Sequence, residues 1–408
     1  MNRPPSADRR RADELGSVLV QVAVALLALL AICAYVFDYG VMWSSRRQAQ
    51  NAADAGALSG ALALAFDNPT DQAAARAKAI AVAQRNLVWG QAPDVTPADV
   101  TFPACPPGAP GPPDTCVKVD VFRNQRPGGS PLPVFFARLV GITEQGVRAT
   151  ATAQVLYGEE ARCVKPWAVP DKWDDLRDTP QDNLWTPDDD FERYIQNGQN
   201  AGQVMTPTAD VYIPPGQPGH TGFTVEDDYG TPLTLKHGNP QQAIRPGWFF
   251  PVVINPIEGP GGNNYRDNIA TCDPTVIGPG TLLEVEPGNM VGPTSQGVNA
   301  LIAQDPLATW SASANGGRGA PTGGCMAAGT CAISPRLVAL AIFNVDVYDA
   351  ARAGGRTEIE VVKVLGFWIQ GMQANDVIGY LTHYPALATG GSPVDAESSF
   401  LRTVILVR

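Results

Sequence analysis

The residue types that most often carry catalysis are sparse in this 408-residue chain and lie far apart. Its three histidines, His220, His237 and His383, each stand alone in a predicted turn or strand end. No Gly-x-Ser-x-Gly and no His-x-x-x-His motif occurs, so neither a nucleophile elbow nor a helical zinc pair is predicted. Distant residues can still form a triad, because a triad is defined by geometry and not by sequence order. An anchored hydrolase is therefore the least favoured hypothesis.

Two acidic clusters are the best candidates for a cation site. Asp188–Asp190 and Glu226–Asp228 both fall in predicted loops. Ca²⁺ takes several oxygen ligands, which neighbouring carboxylates can supply, but neither cluster has the spacing of an EF-hand loop. We prefer to interpret both clusters as solvated acidic turns, and no metal or cofactor is predicted.

Four large aromatic residues fall in one loop-rich stretch: Trp167, Trp173, Trp185 and Phe191. Such side chains can anchor a protein partner or a sugar when they are exposed. More often they form the core of their own domain. The preferred interpretation is a core.

Six of the seven cysteines follow the N-terminal apolar segment: Cys105, Cys116, Cys163, Cys272, Cys325 and Cys331. An even number of cysteines in an oxidising compartment indicates disulfides, although sequence alone does not determine their connectivity. Proximity favours Cys105–Cys116 and Cys325–Cys331, which leaves Cys163 with Cys272. Buried free thiols are the alternative. A zinc site is not expected, because no Cys-x-x-Cys occurs.

The N-terminal segment must position everything that follows it. No charged residue occurs from Gly16 to Phe37, a run that spans about 33 Å as a helix and can cross a hydrocarbon core of about 30 Å. Arg9–Arg11 precede it, which predicts a cytoplasmic tail at residues 1–15 and a transmembrane helix at residues 16–37. A cleaved signal peptide, or lipidation at Cys33, is less favoured because the flanking residues fit those signals poorly.

The helix is expected to continue beyond the membrane. Ser44–Ala65 is rich in alanine and contains no proline, and alanine is the best helix former. Ala52, Gly56 and Gly60 recur every four residues and therefore share one face. Small residues allow a second helix to approach closely. That helix could be the protein's own next helix or a helix of a partner, and both interpretations stay open.

Val36–Gly40 followed by Arg46–Ala61 resembles the N-terminal segment of TadG-like proteins, which belong to the Tad (tight adherence, Flp-type) pilus assembly systems. The shared features are a basic start, an apolar span, an Asp-x-Gly at its outer end and an alanine-rich helix. A weaker similarity extends to Gly158, with Val147–Ala153 like the family's closing strand. The resemblance implies a bitopic protein of the bacterial inner membrane, with most of the chain periplasmic or extracellular.

Two departures from related patterns limit what the resemblance implies. Gln21 stands five residues after Gly16, where prepilin-like members carry a glutamate, so cleavage by a prepilin peptidase is not expected. No Asp-x-Ser-x-Ser motif occurs, so the metal-dependent adhesion site of a von Willebrand A domain is not expected either.

Composition excludes several classes of protein. The net charge of −11 and the pI near 4.8 argue against nucleic acid as a partner, which would require a basic face. The 41 glycines and 37 prolines follow no period, so they indicate many turns and long loops and not a collagen helix. The chain length has room for about two compact domains.

The predicted fold class is α+β. It consists of the transmembrane helix with its alanine-rich extension, a small α+β unit within residues 38–158 and a larger β-rich domain at residues 159–408. In the first unit we expect a helix over Asp71–Val88 capped by Thr70, strands from Asp99, over Cys116–Phe122 and over Gly146–Leu156, and a short helix over Val134–Val140.

The β-rich domain is predicted from runs of β-branched and aromatic residues between turns. Short strands are expected at Ala209–Ile213, Thr231–Lys236, Trp248–Ile254 and Thr281–Val285, with a helix at Gly297–Gln304. Trp310–Thr330 is predicted to be a mobile loop. The central sheet is expected to contain Leu337–Tyr348, Glu358–Gln370, Asp376–His383 and Phe400–Val407.

The resemblance and the composition together predict a non-enzymatic role, the assembly or anchoring of a Tad-type pilus from the membrane. Other Tad pilus or inner-membrane assembly proteins would be the partners, contacted through the N-terminal helix at Ala52, Gly56 and Gly60. The alternative is a surface-attachment module of the adhesin kind.

Overall fold

The computed structural model describes residues 7–177, 185–240, 242–288, 290–353, 359–387 and 398–407. One helix, α1 (Ala7–Leu62), runs without a break for 56 residues. It ends in a π-helical turn at Ala63–Asp67, and α2 (Gln72–Arg85) folds back beside it.

The cap of α2 differs from the prediction. The carboxylate of Asp71 accepts the N–H of Ala74 at 2.9 Å, so Asp71 and not Thr70 is the N-cap. The Thr70 hydroxyl instead bonds to the side-chain oxygen of Asn68 at 2.9 Å, which stabilises the turn between the two helices.

The first half of α1 stands free of the folded protein. Among the described residues, α1 is the one helix that is long and apolar enough to cross a membrane. None of the 18 residues in its most apolar stretch is buried. The second half packs into the first unit, so the predicted span and its extension are one continuous helix.

The first unit is a sheet covered by α1 and α2. Its strands β1 (Val100–Thr101), β2 (Cys116–Arg123) and β3 (Val147–Gly158) are antiparallel neighbours. Val117, Val119 and Val121 of β2 point into a core built mainly of alanine and valine. Because these side chains are small, the helices lie close to the sheet. The predicted helix at residues 134–140 is only a 3-10 turn at Ala137–Val140.

The second unit contains most of the remaining elements. In chain order they are β4 (Val164–Pro170), α3 (Val225–Asp228), β5 (Pro232–His237), β6 (Trp248–Val253), α4 (Gly262–Ala270), β7 (Leu282–Val285), α5 (Val291–Ala303), β8 (Ala308–Ser311), β9 (Ala320–Gly323), α6 (Gly324–Ala327), β10 (Leu337–Phe343), α7 (Val345–Ala353), β11 (Ile359–Gln373) and β12 (Asp376–Thr382). The next strand, β13 (Tyr384–Pro385), joins the sheet of the first unit. The strand order of the second unit is β10-β4-β6-β5-β12-β11-β7, and β10 also pairs with β11. These pairings close the sheet into a ring with a buried apolar cluster on each face.

Three local predictions in the second unit need correction. Trp310–Thr330 is not a loop, because it forms the β8–β9 hairpin and α6. The Trp310 ring stacks on Tyr380 at 4.7 Å between centroids, a contact with a distant strand that no local pattern reveals. Ala209–Ile213 forms only one bridge, between Val211 and Asp174. The helix predicted at Gly297 already begins at Val291.

The last strand, β14 (Leu401–Val407), belongs to the first unit. It pairs antiparallel with β3 from Gly158 to Thr152, and β13 pairs parallel with it. The five-stranded sheet has the order β1-β2-β3-β14-β13. The prediction that Phe400–Val407 joins the central sheet is therefore wrong. Its β-branched residues identify a strand, but they do not say which free edge it will join.

Candidate functional site at the end of the apolar helix segment

Along α1 the described side chains first become buried at Asp38, one residue beyond the predicted span. Val36 and Phe37 are still exposed, whereas Asp38, Val41 and Ser45 are buried. Their spacing of three and four residues places them on one face of the helix. The membrane segment therefore enters the first unit directly, with no linker between them.

Asp38 holds a distant part of the chain at this point. Its carboxylate accepts the backbone N–H groups of Phe135 at 2.8 Å, Phe136 at 3.0 Å and Ala137 at 2.6 Å. Burial by itself raises the pKa of the Asp38 carboxyl, but these three donors favour the charged form and bring the pKa below its ordinary value. Hydrogen bonds to an ionised carboxylate are among the stronger ones in proteins.

The segment that Asp38 holds is a loop closed at its base, residues 132–145, here called the interfacial loop. At the base the Leu132 N–H donates to the Gln145 carbonyl at 2.8 Å, and the Gln145 side-chain amide donates to the Pro133 carbonyl at 2.8 Å. Leu132 and Val134 are buried in the first unit. The interfacial loop is thus an ordered part of the fold.

Three aromatic side chains line the exposed surface of α1 in the turns before and after Asp38. Tyr35 stacks on Tyr39 at 5.8 Å between centroids, and Tyr39 stacks on Trp43 at 6.4 Å. All three are exposed and lie four residues apart. Tyrosine and tryptophan are enriched where a membrane helix meets water, so this stripe fits an interfacial position.

The small residues predicted to receive a partner helix contact the protein itself. A Cβ atom on Gly56 would lie 3.0 Å from the Ala83 Cβ, and one on Gly60 would lie 2.9 Å from the Val117 Cγ1. Ala52 is fully buried in the same core. Of the two interpretations left open by the sequence, packing on the chain's own helix is the one observed. The prediction of a partner contact at Ala52, Gly56 and Gly60 is corrected accordingly, because α2 and β2 occupy that face.

The structure contains the disulfides Cys105–Cys116, Cys163–Cys272 and Cys325–Cys331, with Cα atoms 5.3, 4.4 and 5.3 Å apart. The first closes the proline-rich loop before β2. The second connects the start of β4 to the segment after α4. Cys33 carries a free thiol on the exposed part of α1.

The acidic clusters are engaged in structural contacts. Asp189 is buried and accepts hydrogen bonds from the backbone and hydroxyl of Thr186. Asp190 pairs with Arg245 at 2.6 Å, and Asp228 pairs with Lys172 at 2.9 Å. Within the described ranges no group of three histidine, cysteine or acidic side chains could hold a metal ion.

Two of the histidines are also engaged by structural neighbours. The His237 Nε2 lies 3.1 Å from the Thr294 hydroxyl. The His383 ring is buried between Tyr229 and Phe400, with ring centroids at 4.8 and 6.3 Å. Burial lowers the pKa of His383 well below its ordinary value, so this ring is neutral at physiological pH.

The aromatic residues of the loop-rich stretch form a core. Trp167, Trp173 and Phe191 are buried. Trp185 is half-buried and packs edge-on against Trp173 at 5.8 Å and Phe223 at 5.4 Å. The preferred interpretation agrees with the structure for Trp167, Trp173 and Phe191, whereas Trp185 packs on this core and also lines a cavity of about 850 Å³.

Sequence reasoning missed two buried charges in the second unit. The Lys363 ammonium lies 3.0 Å from the Asp171 carboxylate, which also accepts bonds from the Tyr212 hydroxyl and the Phe223 N–H. The Lys165 ammonium donates to the carbonyls of Asn268 and Thr271, and burial lowers its pKa to about 7. Both lysines stand in largely apolar strands, β4 and β11, but the carbonyls and the carboxylate that they contact belong to distant parts of the chain. Asp38 was noticed as part of a motif, but its partners lie nearly a hundred residues away.

Two family models match the N-terminal third of the chain. Residues 16–63 match the Flp pilus-assembly TadE/G-like family, and residues 49–153 match the Tad-like Flp pilus-assembly family. The resemblance predicted from the sequence is confirmed. Together the matched residues cover α1 from Gly16, α2, the interfacial loop and most of β3. No curated protein and no solved structure matches the chain.

Proposed function

We propose that this protein is a single-pass membrane anchor for pilus assembly. The proposal starts from the match of residues 16–153 to the Tad (Flp-type) pilus-assembly families. In this proposal α1 crosses the bacterial inner membrane with its N-terminus in the cytoplasm. Both folded units lie on the outer side, where the three disulfides can persist. The role is structural and not enzymatic.

The observation that carries this proposal is the continuity of α1 from Ala7 to Leu62. The span and the core of the first unit are parts of one helix, and Asp38 adds a second attachment where the two meet. A displacement of the span in the membrane is therefore passed to the folded unit without a flexible joint. An assembly protein that holds a pilus component at a fixed position requires this kind of stiffness.

Partner proteins are proposed to contact the span itself. The side chains from Val18 to Phe37 are largely exposed in the chain alone, whereas the face with Gly56 and Gly60 is occupied. Other Tad pilus or inner-membrane assembly proteins would thus pack on the lipid-facing part of α1.

The test uses Gly40, which lies between the span and the first unit. Gly40→Pro removes a helical hydrogen bond and kinks α1. Gly40→Ala is the matched control, because a Cβ there meets nothing within 4 Å. In a strain that lacks the gene, we expect wild type and Gly40→Ala to restore surface pili counted by electron microscopy, and Gly40→Pro to fail while it still inserts in the membrane.

Three results would change the proposal. Normal pili with lost attachment to surfaces in the deletion strain would favour the adhesin alternative. Normal pili and normal attachment would refute a role in the pilus. Full restoration by Gly40→Pro would leave the assembly role but refute the importance of a stiff connection.

A further inference from the structure

We propose that the tip of the interfacial loop inserts into the outer leaflet of the membrane that α1 crosses, as a second membrane contact beside the span. The inference rests on the proposed function in one respect, that α1 spans the bilayer. It assigns a lipid-binding surface to residues 135–142.

The side chains of the interfacial loop divide into two sets. Leu132 and Val134 point into the first unit and are buried. Phe135, Phe136, Leu139 and Ile142 are 56, 41, 85 and 51% exposed. Four large apolar side chains on one short loop form a contiguous patch of the kind that marks a membrane or partner contact.

The position of the patch identifies the lipid as its occupant. The Phe136 ring lies 5.8 Å from the ring of Phe37, the last residue of the apolar span. The Asp38 carboxylate holds the backbone of Phe135, Phe136 and Ala137. With a rise of about 1.5 Å per residue, these contacts place the start of the tip within a few ångströms of the outer end of the span, where the hydrocarbon begins.

Six of the N–H groups of residues 135–142 have acceptors within the protein, which lowers the cost of moving this backbone into a membrane. The N–H groups of Phe135, Phe136 and Ala137 bind Asp38. The N–H of Leu139 donates to the Phe136 carbonyl at 2.9 Å, and that of Ile142 donates to the Ala137 carbonyl at 3.1 Å. Gly141 adopts a left-handed φ of +85° and donates to the Arg138 carbonyl at 3.1 Å.

Basic side chains lie on the loop and on the adjoining parts of α1 and β3. Arg138 is exposed at the tip. Arg46 and Arg148 line a cleft of about 290 Å³ together with Tyr39 and Trp43. Guanidinium groups bind phosphate well and are often found at membrane interfaces with aromatic residues. Two acidic side chains lie in the same region, Glu144 on the loop and Asp120, which pairs with Arg148 at 3.0 Å. An apolar centre with Arg138 and Arg46 nearby fits an anionic phospholipid membrane.

The test measures depth with fluorescent labels on the full-length chain. The protein, with Cys33→Ala as background, is reconstituted in vesicles of phosphatidylethanolamine and phosphatidylglycerol. An environment-sensitive dye is attached to Leu139→Cys, to Leu30→Cys in the span or to Leu307→Cys on an exposed site of the second unit. Quenching by doxyl-labelled phospholipids and by aqueous iodide is then compared.

We expect the label at position 139 to be quenched by the doxyl lipids and protected from iodide at least several-fold relative to position 307. Open access of iodide to position 139, with position 30 in the lipid, would overturn the inference while the anchor stands. Access of iodide to position 30 would overturn the anchor itself. Protection of position 139 from both quenchers would overturn the inference in favour of a protein contact, such as a second copy of the chain.

Discussion

Asp38 and Ala137 are 99 positions apart in the chain, yet the carboxylate of Asp38 accepts the N–H of Ala137 at 2.6 Å. This contact joins the end of the membrane span to the interfacial loop. It buries a charged group at the end of the apolar segment, where three backbone donors compensate the loss of water.

Asp38→Ala is expected to release the interfacial loop, because the three N–H groups lose their acceptor. Iodide quenching of a dye at Leu139→Cys should increase several-fold relative to the parent. A dye at Leu30→Cys should not change, since the span stays in the lipid. Unchanged quenching at position 139 would show that the carboxylate does not hold the loop.

The contact should also depend on pH in a defined direction. The fold lowers the pKa of Asp38 from its ordinary value of 3.8. The charged carboxylate therefore stabilises the fold fully above pH 3.8, and this stabilisation is lost as the pH falls through the lowered pKa. Quenching at position 139 should therefore be constant between about pH 5 and 8 and should rise only below about pH 4. A transition near neutral pH would point to another group.

Gly60→Ala is expected to destabilise the first unit by about 1–3 kcal/mol, because its Cβ would lie 2.9 Å from the Val117 Cγ1. Gly40→Ala, where a Cβ meets nothing within 4 Å, is the matched control and should gain about 0.5–1 kcal/mol, because alanine favours a helix over glycine. Denaturant unfolding in detergent measures both. Equal stability of the two variants, with a loss of partner crosslinking only for Gly60→Ala, would restore the partner-helix interpretation.

Removal of the last strand should loosen β3. A chain truncated after Phe400 lacks the pairing from Leu401–Gly158 to Val407–Thr152. Hydrogen exchange is expected to rise in β3 and to stay low in β10 and β11, whose partners remain. Protection of β3 equal to that of the full chain would mean that β14 contributes little to the first unit.

The disulfides should differ in their contribution to stability. Cys163–Cys272 closes a loop of 109 residues and Cys325–Cys331 one of 6. In the chain-entropy account a longer loop gives more stabilisation. Replacement of Cys163 and Cys272 by serine should cost about 5 kcal/mol, and the matched double replacement at Cys325 and Cys331 about 2 kcal/mol, measured by denaturant unfolding. A larger loss for the short loop would contradict this account.

Lys165 gives the second unit a pH dependence of its own. Its pKa is about 7 in the fold, below the ordinary value of 10.5. Between these two pKa values Lys165 is protonated in the unfolded chain and largely neutral in the folded one. The free energy of unfolding should therefore rise by roughly 1 kcal/mol per pH unit above about pH 7. Lys165→Met should remove this slope. A parent protein whose stability is flat between pH 7 and 10 would contradict the lowered pKa.

The sequence alone determined the membrane helix, the alanine-rich extension, α2, most strands and the Tad resemblance. Each depends on a local property: an uncharged run of sufficient length, a helix-favouring composition or an alternation of apolar and polar residues. Two of the observed cysteine pairs, Cys105–Cys116 and Cys325–Cys331, are those that proximity favoured. Cys163–Cys272 followed only as the remaining pair. These signals lie within a few turns of chain, so the residues alone carry them.

Only the tertiary structure decided which surfaces meet. The strand at Leu401–Val407 was recognisable, but its position beside β3 depends on an edge formed some 250 residues earlier. The face of small residues around Gly56 could equally pack on a helix of the chain itself or on a helix of a partner. The position of α2 against Gly56 decided between the two. Asp38 looked like a residue at the end of a span, and its role followed from Phe135–Ala137. In each case the deciding contact lies between residues far apart in sequence, where local propensity carries no information about the partner.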